Sequence, residues 1–593
     1  MGFWLGTLFA VTLVAQAQVQ AQVQGAVSRA DAAAAARLRK DVAFLAAPEL
    51  KGRGNGYPEL DRAAKRIQGE LKALGLKTQI QRFPFIAKVT RERQEAVLTL
   101  GDMPRALVWG KDIEALGWSG DGEFRSKALA FVGYGVQVAG GYDDLAGIEL
   151  KDRVALIART VPDLDAFAKA GRGERNLASR LRRLEAAGVA GVIVLEEGGL
   201  RLLQREEGPV KVNIPVVGLT MAGLGDACGD LSLRFKAIKD TGKPASHDFI
   251  LAPWTTLSLS LKLRREEAQV PNVIAEIPGS DPKLRKEFIV LGAHMDHLGL
   301  GERHSRGTAE DQGRVHPGAD DNASGTAMVV ELARELVRHR PKRSILLLHF
   351  GGEEEGLLGS SYWIQHPTRP LEQVKYMLNF DMVGRLDPKA PKLMMGGLGS
   401  PKSALEALQK LAPKAFTIQP DVGAGVGGSD HVSFAVAKIP TFFFFTGAHE
   451  QYHRPTDTAD LINYEGMALL ARYAKSVTLD LANRQTLPAF DPETAKMPAR
   501  SGSSSARIAF GIVPDFADNP AGFRITGVSR GSTAEAIGMQ AGDIIIQFGQ
   551  RPVKHLQDYM GALETHAPGD KALIQWLRDG QPRSAEATLK ARP

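Results

Sequence analysis

Apolar positions recur along this chain with two different periods, and the changes of period mark its elements. Ala63, Ala64, Ile67, Leu71 and Leu74 fall on one face of a predicted helix, and Gly75 stops it. Upstream, Leu38, Val42, Phe44 and Leu45 precede a Gly-rich loop, Lys51-Gly-Arg-Gly-Asn-Gly56. That loop has neither a P-loop lysine nor a matching strand, so phosphate binding is not expected there. Residues 126–255 have a different texture. Short β-type runs at 129–132, 154–157, 191–195 and 214–217 are separated by Gly and Asp turns, with one helix from about Leu181 to Ala187 before Gly188. From 256 to about 482 strands alternate with helices. Strands are predicted at 287–293, 344–350, 376–381 and 440–446, and an amphipathic helix at 322–338 carries Ala327, Val329, Val330, Leu332, Leu336 and Val337. The run Pro440-Thr-Phe-Phe-Phe-Phe-Thr446 is almost wholly apolar, as expected of a strand covered on both faces. The alternation predicts an α/β fold, a mostly parallel, mixed sheet with helices on both faces.

The flanks read differently. Residues 3–15 are apolar and uncharged, and Ala15-Gln-Ala17 fits a small-x-small cleavage site. A signal peptide over 1–17, cleaved after Ala17, is expected, with a periplasmic or secreted product. The apolar run is too short to span a bilayer. Residues 18–36, rich in Gln, Val and Ala, are expected to be a flexible start, either disordered or a frayed helix. Residues 483–506, with three prolines and Ser501-Gly-Ser-Ser-Ser505, read as a linker to a last domain at 507–590.

At 593 residues the chain suggests three or four domains, and 44% hydrophobic with 24% charged residues is an ordinary globular composition. The net charge of +7 is small for this length, and no basic run is interleaved with aromatics, so nucleic acid is not an expected partner. Cys228 is the only cysteine, which excludes an intramolecular disulfide and a thiolate metal site.

The candidate chemistry lies at the exits of the predicted strands: His294-Met-Asp296, Gly318-Ala-Asp-Asp321-Asn, Glu353-Glu354, Asn379-Phe-Asp381 and Tyr452-His453. In an open parallel sheet, the loops at the carboxyl ends of neighbouring strands converge on one crevice. Imidazoles and carboxylates gathered there suit zinc, and two ions can share a carboxylate. Chemistry alone permits either Asp320 or Asp321, and any two of Glu353, Glu354 and Glu355. His449-Glu-Gln-Tyr-His453 matches the H-E-x-x-H zincin pattern, but Gly447 and Pro455 bracket it too closely for the helix that pattern needs. His297, His304 and His316 are expected on the surface of a long loop. Ser429-Asp-His431 holds three adjacent residues, which cannot form a hydrogen-bonded triad.

His294-x-Asp296, Pro317-Gly-Ala-Asp-Asp-Asn-Ala-Ser-Gly325, Glu353-Glu354, Asn379-Phe-Asp381 and His453-x-x-x-Asp457 resemble the M28 peptidases, the co-catalytic zinc aminopeptidases with relatives among glutamate carboxypeptidases. The resemblance covers roughly 37–480 and implies a zinc-peptidase fold with two Zn²⁺ per chain. It assigns Asp321 as the bridge, Glu354 and His453 to one ion, and His294 and Asp381 to the other. Glu353 is then the general base, Asp296 holds the His294 ring through its second nitrogen, and Tyr452 donates to the oxyanion. The peptidase would occupy 37–125 and 256–482. The insert at 126–255 resembles the protease-associated (PA) domain through Gly133-Tyr-Gly135, Tyr142-Asp-Asp-Leu-Ala-Gly147 and Ala186-Ala-Gly-Val-Ala-Gly-Val-Ile193, and is expected to restrict which peptides reach the site. Ala509-Phe-Gly-Ile512, Gly527-Val-Ser-Arg-Gly-Ser532 and Ala541-Gly-Asp-Ile-Ile545 resemble a PDZ domain, which implies capture of peptide C-termini near Phe510, Gly511 and Ile512. The implied function is an exported di-zinc aminopeptidase. A carboxypeptidase or dipeptidase on the same site, a one-zinc glutaminyl cyclase and a non-catalytic peptide-binding scaffold are the alternatives, the last two disfavoured by the full ligand set.

Overall fold

A computed structural model describes residues 29–138, 141–162, 164–167, 175–196, 200, 203, 212–225, 231–244, 255–307, 309–311, 313–420, 428–495, 508, 510–514, 521–528, 531–554, 558–559, 562–563, 566 and 568–590. The expected signal peptide and Cys228 lie outside these residues. The chain divides into two compact units, Met1–Phe83 with Gln269–Pro593, and Pro84–Ala268.

In the first unit, helices α1 (Arg29–Leu45) and α2 (Pro58–Ala73) precede the sheet. Helix α1 therefore begins inside the segment expected to be flexible, because Ala34, Ala35, Leu38, Val42 and Leu45 form a buried stripe on it. Its strands are β1 (Thr255–Ile277, through its C-terminal part), β2 (Phe288–His294), β3 (Ser344–Phe350), β4 (Val374–Phe380), β5 (Lys392–Gly396), β6 (Thr417–Pro420) and β7 (Thr441–Phe445). Their order is β6-β5-β7-β4-β2-β3-β1. The central four, β7, β4, β2 and β3, are mutually parallel, while β5 and β1 join antiparallel. The sheet is thus mixed and mostly parallel, as its near-continuous apolar strands predict. Phe288, Val290, Leu346, Leu348 and Phe350 pack with Trp363 and Phe434 on one face. The alternate residues Ile289, Leu291, Ile345 and Leu347 are buried on the other, where helix α3 (Gly325–His339) contacts β2, β3 and β4.

Helix α3 starts three residues later than its hydrophobic pattern suggests. Asp321 and Asn322 hold non-helical backbone angles (φ −101° and −130°), and the Asn322 side chain bonds Phe380 O, Gly325 N and Met382 N instead. A second long helix, α4 (Tyr464–Asn483), packs on α1 and α3.

The other unit begins at Pro84, well before the expected insert at 126–255, because the chain enters it along the strand Lys77–Leu100. Within it, strands Gly122–Phe131, Val154–Ala158, Gly191–Glu196 and Val216–Thr220 pair in parallel in that order, with helix Leu177–Ala186 before Gly188. At the C-terminal end, strands Ile512–Pro514, Phe523–Val528, Ile544–Phe548, Lys571–Arg578 and Gln581–Thr588 form a separate antiparallel sheet around Phe510, Phe523, Phe548, Tyr559 and Trp576.

Candidate metal centre

The topology sets the site. Strand β2 has β4 on one side and β3 on the other, so the chain leaves their carboxyl ends in opposite directions and opens a crevice there. His294 ends β2, Glu353 and Glu354 follow β3, Asp381 follows β4, His453 lies beyond β7, and Asp321 precedes α3. The structure brings all six together.

Asp321 faces two histidines at once. Its Oδ1 lies 3.3 Å from His294 Nε2, and its Oδ2 lies 3.2 Å from His453 Nε2. His294 Nε2 is also 3.4 Å from Asp381 Oδ1, and His453 Nε2 is 3.2 Å from Glu354 Oε2. Ligand atoms about 2.0–2.1 Å from a tetrahedral zinc ion are about 3.3–3.4 Å from one another. All four separations lie within about 0.1 Å of that edge, and among the described residues Asp381 Oδ1 is buried with no hydrogen-bond partner. The donor set fits two ions sharing Asp321.

Two neighbours fall outside that spacing, which separates their roles. Glu353 Oε2 is 3.9 Å from His294 Nε2, too far for a common tetrahedral edge. His297 Nδ1 is 2.7 Å from Glu354 Oε1, a hydrogen-bond distance, and 3.9 Å from Asp321 Oδ2. His297 therefore holds Glu354 from behind, although it groups with Asp321 and Glu354 by proximity. The surface position expected of His297 is overturned, because it is 1% exposed. His316 is likewise fully buried; its Nε2 meets Ser305 Oγ and its Nδ1 meets Arg314 O. His304 is half-buried and offers its carbonyl to His453 Nδ1 at 2.9 Å. Sequence reasoning missed these because packing between distant segments, and not local pattern, buries the loop. The one available signal was that His297 follows Asp296 directly.

Asp296 lies against the second nitrogen of His294 and also holds the next strand exit. Its backbone carbonyl, at 3.2 Å, is the nearest acceptor for His294 Nδ1, with the carboxylate Oδ1 at 3.6 Å. The carboxylate also accepts the backbone N–H groups of Glu353 (3.2 Å) and Glu354 (3.3 Å), fixing the two residues together.

The neighbouring acids and histidines meet other partners. Asp320 turns away, accepting Gly384 N–H at Oδ1 and facing His449 Nε2 at Oδ2. Asp457 Oδ2 accepts the N–H groups of both Asp320 and Asp321. Glu355 pairs with Arg303 at 3.1 Å, which removes it from the donor set. Residues 450–453 form turns and not a helix, so His449 and His453 do not share a zincin-type ion. Ser429 takes Asn379 Nδ2–H, and His431 stacks on Phe443, so the Ser-Asp-His run forms no triad.

Burial pushes the Glu353 carboxyl well above the ordinary range, partly opposed by His294 and reinforced by Glu354 and Asp381. Burial would also raise Glu354, but His453 and the His297 hydrogen bond outweigh it and hold Glu354 well below its usual value. Burial pushes the Tyr452 phenol up, reinforced by Asp321, so it remains a donor. The Tyr452 ring stacks on His453 at 3.9 Å, with the Arg306 guanidinium 4.6 Å from its centroid. Met382, Met394, Phe443 and Phe445, with Ala448 and Tyr452 packed against them, form an apolar cluster next in sequence to Asp381 and His453.

The sequence profile of peptidase family M28 matches residues 272–478, and that of the PDZ domain matches 509–589. An aminopeptidase of Pseudomonas aeruginosa is 26% identical over 408 residues, covering 67% of each chain. The uncharacterized protein YfbL of Escherichia coli is 30% identical over 231 residues, covering 33% of this chain and 67% of that one. Among solved structures, an aminopeptidase from Aneurinibacillus sp. strain AM-1 aligns with a TM-score of 0.49 at 24% identity, covering 77% of this chain and 96% of that one.

Proposed function

Because this chain belongs to peptidase family M28, and is a metallopeptidase with a C-terminal PDZ domain, we propose that it is a di-zinc aminopeptidase releasing N-terminal residues from peptides. The observation that carries this reading is the pair of donor sets meeting at Asp321, with Glu353 just outside them. His294, Asp381 and Asp321 would hold one ion, and Glu354, His453 and Asp321 the other. The ions would supply Lewis-acid polarisation of the scissile carbonyl and make water acidic enough to attack at neutral pH.

The protein residues do the rest. Glu353, whose backbone N–H is fixed by Asp296, accepts the proton of the attacking water and returns it to the leaving amine. Tyr452, kept protonated by burial, donates to the oxygen that gains charge.

The accessory parts extend the reading. Among the described residues Ile512–Pro514 is the edge strand of its sheet, and it would take up a peptide by strand addition, the peptide carboxylate meeting the loop at Phe510 and Gly511. Residues 126–255, within the unit Pro84–Ala268, are proposed to be a PA domain that restricts which peptides are cleaved, and residues 3–15 support export. Among the described residues no helix is long and apolar enough to cross a membrane.

The test pairs bound-metal analysis with aminoacyl amides offered free and N-blocked. Two zinc ions per chain and cleavage of the free amides alone are expected. Cleavage of only N-blocked peptides with a free C-terminus would move the protein to the carboxypeptidases, and absence of both metal and turnover would leave a peptide-binding scaffold.

A further inference from the structure

The Gly-rich loop at 51–56 has no part in the chemistry above, yet it is built against the back of the donor set. Arg53 is completely buried and its guanidinium donates only to carbonyls: Met295 O (2.8 Å), Leu45 O (2.6 Å), Pro317 O (2.6 Å) and Gly318 O (2.9 Å). Met295 O belongs to the segment after His294, Pro317 O and Gly318 O to the turn that delivers Asp321, and Leu45 O to the end of helix α1. The loop backbone continues the grip, with Arg53 O accepting His297 N–H and Gly52 O accepting Gly299 N–H. Asn55 Nδ2 donates to Asp296 Oδ2 at 2.6 Å, on the same carboxylate that holds the Glu353 and Glu354 backbones.

The glycines explain why the approach is this close. A Cβ at Gly52 would sit 2.4 Å from both Gly299 O and His316 O, and one at Gly54 would sit 3.0 Å from Gly299 Cα. Lys51, Gly52 and Arg53 all have positive φ (41°, 70° and 49°), an unfavourable conformation for the two non-glycine residues. Burial lowers the Arg53 pKa only to about 10, with Asp321 and Asp296 opposing the fall, so it remains a cation behind a cluster of carboxylates.

We propose that Asn55 and Arg53 are positioning residues of the metal centre: Asn55 orients the Asp296 carboxylate that sets Glu353 and Glu354, and Arg53 locks the His294–His297 and Pro317–Asp321 segments to each other. The proposal rests on the two-ion reading above. Supports this close to a ligand set are worth about 10–100-fold in metal affinity or activity.

The experiment compares Asn55→Ala, the nearly isosteric Asn55→Asp and Arg53→Lys in the full chain. It measures zinc release to a chromogenic chelator, kcat and KM separately, and the urea midpoint. Zinc release about tenfold faster and kcat about tenfold lower, with KM within about twofold, is expected for both Asn55 variants. Arg53→Lys keeps the charge but cannot reach four carbonyls, and should accelerate zinc release without abolishing folding. Parental zinc release and kcat in Asn55→Asp overturn the proposal, as does a lowered urea midpoint with unchanged zinc release in every variant that folds. If the parent itself binds no zinc and turns nothing over, the two-ion reading fails first, and that result is distinct from either.

Discussion

His297 Nδ1 lies 2.7 Å from Glu354 Oε1, while the other oxygen of the same carboxylate faces His453 Nε2 at 3.2 Å. One imidazole thus fixes the carboxylate that the other would share an ion with. Removing His297 leaves Glu354 Oε1 buried without its partner and free to rotate. His297→Ala should lower zinc affinity at that site by about 10–100-fold, seen as one early-lost equivalent in chelator titration, with the remaining ion retained. Loss of both ions together would show His297 to be a general structural support.

The adjacent acids Asp320 and Asp321 separate cleanly. Asp321 presents one oxygen to each histidine, whereas Asp320 is engaged by Gly384 N–H and His449. Asp321→Asn should leave neither ion stoichiometrically bound and reduce turnover by at least about a thousandfold, since both sites lose a charged ligand. Asp320→Asn should retain both ions and lose about tenfold or less. Metal content by mass spectrometry on the two variants checks this directly, and equal losses would mean the bridge is not confined to Asp321.

Much of this arrangement was readable before any fold was seen, for a physical reason. Buried parallel strands are apolar throughout, so the runs near 288–294, 344–350, 374–380 and 441–445 stood out, and crevice residues must follow their carboxyl ends. The unreadable part depends on contacts between distant segments. Asn55 and Asp296 are 241 residues apart, and nothing local to either indicates the other. His297 looked like a loop residue because its burial comes from the 51–56 loop folding over it. Residue chemistry alone left Asp320 and Asp321 open; the resemblance to the M28 peptidases implied Asp321, and the Gly384 N–H on Asp320 agrees with it. The second unit was not readable either, because its boundary at Pro84 lies inside a strand with no break in composition.

The apolar cluster beside the ligands sets an expected preference. Met382 directly follows Asp381, Tyr452 directly precedes His453, and both belong to a cluster with Met394, Phe443 and Phe445. A substrate residue seated there removes apolar surface from water, at about 0.8 kcal/mol per CH₂. Leucyl amides should therefore exceed alanyl amides in kcat/KM by about tenfold or more, and acidic residues should be poor substrates. Met382→Glu should narrow or reverse the leucyl preference while retaining both ions. An unchanged ranking in that variant would place the side-chain pocket elsewhere.

His349 gives a stability prediction independent of catalysis. It lies in β3, is fully buried, and has Nε2 3.3 Å from Thr326 O. Burial lowers its pKa from 6.5 to about 4, only slightly opposed by that hydrogen bond. The folded state thus prefers the neutral ring. Its contribution is fully present above about pH 6.5, where the unfolded ring is also neutral, and is lost as pH falls from there through about 4. At about 1.4 kcal/mol per pKa unit the loss approaches about 3 kcal/mol. His349→Leu should remove this component. In metal-free protein the urea midpoint of the parent should fall more steeply between pH 7 and 4.5 than that of the variant. Parallel profiles would mean that other groups carry the acid sensitivity and that His349 is protonated without cost.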